Sequence, residues 1–163
     1  MLEDAISSAL VQSLIGERGH LPIHNALPDI GRELAGKEIE GQPHTIYQLL
    51  SHMNYWQDFL LKVAQGEVPK LPSHPSESWP TTTNAPSQDE WVKLIQTFLQ
   101  GVDLAVQLAK NGNLDEPLKV RPNETKIHIL RNIASHNTYH LGQIVFIRRM
   151  FGAWPPPSGG YPI

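Results

Sequence analysis

Between Thr125 and Phe151 apolar residues recur at Ile127, Leu130, Ile133, Ala134, Leu141, Ile144 and Val145. That three-and-four spacing predicts one long helix with a buried stripe, and such a stripe has to be covered by other elements. The rest of the chain offers helices for the purpose. Leu2, Ile6, Ala9, Leu10 and Leu14 share one side of a segment that ends near Gly16 and Gly19. Thr45-Ile46-Tyr47-Gln48 reads as a capping box that opens a second long helix, apolar at Ile46, Leu49, Leu50, Met53, Leu60 and Val63 and ended by Gly66. Ser87-Gln88-Asp89-Glu90 reads as another box. It opens a helix carrying Trp91, Leu94, Phe98, Val102 and Ala105 that stops at Asn111-Gly112. No internal repeat and no useful alternating pattern is present. The expected fold is all-α, a four-helix bundle formed by a single domain over residues 1–163.

The connections are uneven. Residues 20–41 suit one or two short helices, with Pro22 and Pro28 at first-turn positions. Residues 67–86 hold five prolines and no periodicity. They read as a long loop that crosses the bundle and covers a site. Residues 114–123 read as a connector. The stretch 153–163, with Trp154-Pro155-Pro156-Pro157, is expected as an extended tail on the surface.

The fourth helix carries His136 and His140, four apart. On a helix they lie one above the other, separated by about 6 Å along the axis. Ile133 and Ile144 flank them, so both point inward, where an imidazole needs a partner. His52 on the second helix shares a face with Leu49, Trp56 and Phe59. Two packed helices can therefore present three imidazoles to one point. A metal ion would satisfy them, and so would a hydrogen-bonded core cluster.

Composition narrows the alternatives. The chain has no cysteine, which excludes disulfides, thiolate metal sites and cysteine nucleophiles. A net charge of −3, with no basic run among aromatics, gives no sign of nucleic-acid binding. No apolar run spans a membrane, and no basic stretch followed by an apolar one opens the chain, so a cytoplasmic protein is expected. Eight histidines are many for 163 residues.

His52 on one helix and His136-x-x-x-His140 on another, followed by Gly142-Gln143-Ile144, resemble the pattern of the DinB/YfiT-like family of metal-dependent enzymes. Pro43-His44-Thr45-Ile46 and Gly152-Ala153-Trp154-Pro155-Pro156 add to the resemblance, which spans nearly the whole chain. It implies an up-up-down-down bundle and a homodimer. It also implies a divalent metal on His52, His136 and His140: nickel or zinc first, iron or manganese next. Relatives include thiol-dependent transferases and a mycothiol-dependent isomerase. The expected activity is that of a transferase or hydrolase acting on a small molecule. The alternative is a metal-binding or stress-response dimer without turnover.

Three imidazoles leave at least one coordination position open, as in catalytic sites. Gln48, Asn132 and Gln143 are candidates to orient the rings. Tyr55 and Tyr139 are candidates to bind substrate. No Asp or Glu falls at helical spacing beside the triad. His20 and His24 read as surface or capping residues, His128 as solvated, and His44 and His74 as structural or incidental. Arg148 and Arg149 read as solvated complements to the helix dipole.

Overall fold

The structure, a computed structural model, describes residues 2–157 and Gly159. Its helices are α1 (Leu2–Ile15), α2 (Ile23–Ala26), α3 (Arg32–Ala35), α4 (Ile46–Ala64), α5 (Gln88–Lys110) and α6 (Lys126–Met150). A single 3₁₀ turn covers Pro75–Ser78. The four long helices start and stop where local chemistry dictates. At α4 the Thr45 hydroxyl accepts from the Gln48 amide while the Gln48 side chain accepts from the Thr45 amide, a complete capping box. The Ser87 hydroxyl caps α5 through the Glu90 amide. Helix α4 ends on Gly66 at φ 89°, where the Gly66 and Glu67 amides donate to the Val63 and Lys62 carbonyls. This paired C-terminal closure favours a glycine in the left-handed region.

The helices close a ring in which α1 packs on α5, α5 on α4, α4 on α6 and α6 on α1. Successive helices α4 and α5 are therefore neighbours. Two connections cross the bundle: the one from α1 to α4, which carries α2 and α3, and the one from α5 to α6. The proline-rich loop, expected to cross, instead joins adjacent helices and folds back over α4. The expected connector contains a short antiparallel hairpin, β1 (Pro117–Leu118) with β2 (Arg121–Thr125). A two-residue strand is too short to leave an alternating pattern.

Two apolar clusters form the core. One gathers Leu50, Met53, Trp91, Phe98, Leu141 and Ile144. The other gathers Leu14, Phe59, Leu60, Ala105, Leu130 and Ile133. Between them lies a polar seam. Gln57 and Asn137 are buried there, with Asn137 Nδ2 donating to Gln57 Oε1 at 2.8 Å and Gln57 Nε2 to the Phe98 carbonyl at 2.8 Å. This chain ties α6 to α4 and α4 to α5. It also accounts for a glycine inside α5: a Cβ at Gly101 would collide with the Gln57 amide nitrogen.

Arg148 departs from expectation. It is buried, and its guanidinium donates to the carbonyls of Ala26 (2.6 Å), Pro28 (3.3 Å) and Ala153 (3.1 Å). The backbone after α2 and the exit of α6 leave carbonyls that helical bonding does not use, and an inward arginine satisfies them. Of the expected tail, Ser158 and residues 160–163 lie outside the described residues. Trp154 packs on the core and Pro156 is buried.

Candidate metal centre

The Thr45 cap sets the register of α4 and turns His52 toward α6. There His136 and His140, one turn apart, face back. Ring centroids are 5.2 Å apart for His52 and His136, 4.9 Å for His52 and His140, and 4.6 Å for His136 and His140. One nitrogen from each ring lies within 4.8 Å of the others. No Asp or Glu joins the group among the described residues. His52 and His140 are each 7% exposed, and His136 is half-buried.

Partners on the far sides of the rings decide which nitrogens carry protons. Ser78 Oγ lies 3.0 Å from His52 Nδ1 and donates its only proton to the Pro75 carbonyl at 2.8 Å. It must therefore accept from His52, so the hydrogen sits on Nδ1 and Nε2 is a bare lone pair. The Gln143 amide oxygen, 2.7 Å from His140 Nδ1, has the same effect on His140. Gln143 thus takes the orienting place expected of it. Gln48 does not, since its amide nitrogen donates to the Pro80 carbonyl. Asn132 is exposed and does not bond to His136. Ser78 escaped the sequence reading because it lies 26 residues from His52 in a segment without periodicity.

Burial pushes the His52 pKa down to about 4, helped by the neighbouring His140 and His136 and opposed by hydrogen bonding to the Ser78 backbone. Burial, then His140, pushes His136 down to about 4. Burial lowers His140 as well, against its bond to Gln143. All three rings are therefore neutral near pH 7, the state in which imidazole ligates a metal.

The donor set fits a divalent transition metal. His52 Nε2 and His136 Nε2 are 3.3 Å apart. Two nitrogens at about 2.0–2.1 Å from one tetrahedral ion are separated by about 3.3 Å. A third imidazole completes a set of three neutral nitrogen donors, with room for a fourth ligand.

The surroundings are aromatic on one side and open on another. Trp79 stacks between His52 and His44, with centroids 3.7 Å from each and near-parallel planes. His44, expected to be incidental, thus backs the wall of the site; burial and then His140 lower its pKa. The loop is fixed over the site by Thr45 Oγ1, which donates to the Thr83 carbonyl at 2.7 Å. A cleft of about 270 Å³ runs between α4 and α6 and reaches His136. Tyr139 packs edge-on against His140 at 5.0 Å but is 67% exposed. Tyr55 packs on Trp56. The other histidines stay outside. His20 bonds to Thr138 and Leu21, His24 lies 3.5 Å from Asp103, His74 caps the 3₁₀ turn, and His128 is exposed and caps α6 through the Thr125 amide.

No helix among the described residues is long and apolar enough to cross a membrane. No curated protein and no solved structure matches the chain. The family model of the DinB superfamily matches residues 23–144, a span that begins with α2 and takes in His52, His136 and His140. The chain belongs to the DinB superfamily.

Proposed function

We propose that the chain is a metal-dependent enzyme in which His52, His136 and His140 hold a divalent transition ion, nickel or zinc first and iron or manganese next. Its activity is that of a transferase, with a thiol as one co-substrate class, or of a hydrolase, on a small molecule. The observation that carries this reading is the pair of acceptors behind the rings. Ser78 and Gln143 draw the protons of His52 and His140 to the outer nitrogens and leave bare lone pairs converging on one point. When bound, the ion supplies Lewis acidity toward a water, thiol or carbonyl at the open position. The chain's own part is to hold three neutral rings, keep water off His52 with the Trp79 face, and admit a small molecule along the cleft at His136.

The test is elemental analysis of protein purified without chelator or affinity tag, beside His136→Ala. About one equivalent of nickel or zinc per chain, lost in the variant, supports the reading. No metal in either, and no thermal shift on adding zinc or nickel, would overturn it and leave a hydrogen-bonded histidine cluster. Metal without an exchangeable position would favour the reading without turnover.

We also propose a single domain and a homodimer. The dimer needs an exposed apolar face. One lies on α6, where Tyr139, Phe146 and Met150 are 67%, 49% and 58% exposed and fall on one side of the helix. Sedimentation at micromolar concentration should show a dimer that Phe146→Glu dissociates; a monomeric parent removes the proposal.

A further inference from the structure

The cleft that reaches His136 has a chemistry of its own. Its α4 wall is apolar, formed by Trp56, Phe59 and Leu60, with Trp56 edge-on to Phe59 at 5.4 Å. Leu71 of the proline-rich loop overhangs it and is 59% exposed, an apolar side chain whose placement burial in the core does not explain. The opposite wall is Asn132 and His136, one turn apart on α6. At the hairpin end stands Arg121, and no carboxylate belongs to the lining.

We infer that this cleft binds a small carboxylic acid with an aromatic or alkyl body, its carboxylate held by Arg121 and its far end at His136. As the substrate class of the metal centre the inference rests on the function proposed above; the binding of the acid does not. The volume, about 270 Å³, is at the small end for ligand sites and equals roughly nine water molecules. Arg121 is one-third exposed, and its Nη1 lies 3.1 Å from Glu124 Oε2. That contact steadies the guanidinium from outside the cleft and engages one of its two terminal nitrogens. The remaining N–H groups keep the fork that suits a carboxylate. A cationic ligand would meet Arg121. A neutral apolar one would leave its remaining N–H groups unused. A phosphate would find one arginine and an apolar wall, too few donors for its oxygens.

The test compares 3-phenylpropionate with its neutral amide by calorimetry on the full chain, zinc-loaded and chelator-treated, with zinc uptake measured on the same samples. The acid should bind about tenfold more tightly than the amide, as one charge-assisted hydrogen-bonded contact provides. Arg121→Gln should abolish that preference and leave amide binding and zinc uptake unchanged. Glu124→Gln frees the guanidinium and should tighten the acid about two- to fivefold, a gain that a merely structural arginine would not produce. Should Arg121→Gln fail to fold, Glu124→Gln decides alone. Equal binding of acid and amide, no binding of either, or a preference that survives Arg121→Gln overturns the inference. Zinc uptake without acid preference overturns the cleft and spares the metal centre; acid preference without zinc uptake does the reverse.

Discussion

Replacing Ser78 with alanine tests how the site is held without touching a ligand. Ser78 Oγ is 3.0 Å from His52 Nδ1 and 2.8 Å from the Pro75 carbonyl, and its one proton is committed to the latter. In Ser78→Ala the His52 N–H loses its acceptor in a residue only 7% exposed. One outcome leaves a buried donor unpaired, at a cost of about 1–3 kcal/mol. The other moves the proton to Nε2, which removes the lone pair that faces His136. Both weaken metal binding, by about 10- to 100-fold for the loss of an orienting partner. The assay is zinc titration at pH 7 against a competing chromophoric chelator, with metal-free melting recorded alongside. Ser51→Ala is the control: its hydroxyl bonds the Tyr47 carbonyl one position from His52 and touches no ring. If Ser78→Ala binds zinc within twofold of the parent, the serine does not set the tautomer and the reasoning fails.

Acid should destabilise the metal-free fold in a defined window. His52 and His136 are lowered to about 4 from the ordinary 6.5, so the unfolded chain takes up their protons first. Their stabilising contribution is full above about pH 6.5 and fades as pH falls to about 4; urea midpoints that stay level between pH 7 and 5 would contradict this. Gly101→Ala gains helix propensity yet should lose about 1–3 kcal/mol in urea unfolding, because the new methyl displaces the Gln57 amide. A neutral or stabilising result would show that Gln57 relaxes freely. Arg148→Met should cost about 3 kcal/mol in the same assay, since three carbonyls lose a buried donor. A loss below about 1 kcal/mol would mean that water replaces the guanidinium.

What could be read from sequence was local. Thr45 and Gln48 lie three apart, and so do Ser87 and Glu90, so the caps of α4 and α5 follow from residue order alone. His136 and His140 share a face by helical period, and Gln143 reaches His140 by the same rule. His52 joins them because one apolar stripe aims it at the core. Contacts made across long sequence separations left no such trace. Ser78 and Trp79 sit among prolines, where no period tells which side chain turns toward α4. His44, one residue before a cap, gave no hint of a ring stacked on Trp79. Arg148 looked like a terminal cation because position predicts charge near a helix end, and nothing local reveals carbonyls arriving from α2. Gln48 and Asn132 had suitable spacing. One is drawn away by the Pro80 carbonyl, and the other falls on the cleft side of α6.

The seam between the two apolar clusters runs up to the histidine site, since Asn137 is the next residue after His136. The Phe98 carbonyl can only accept, so Gln57 must turn its nitrogen to it and its oxygen to Asn137. Asn137 must then donate with its nitrogen, which leaves Oδ1 buried and without a hydrogen bond of good geometry. The Asn137 side chain also acts on the neighbouring His136 ring, where it favours the protonated form against the effect of burial. Two of the three rings have an acceptor beside them, Ser78 Oγ at His52 and Gln143 Oε1 at His140. Acceptors at the periphery draw protons outward and leave electron pairs at the centre, where His52 Nε2 and His136 Nε2 stand 3.3 Å apart. A proton on His136 Nε2 relieves that pair alone and gives His140 nothing. A cation, on the function proposed above, would take the electron pairs of all three rings together.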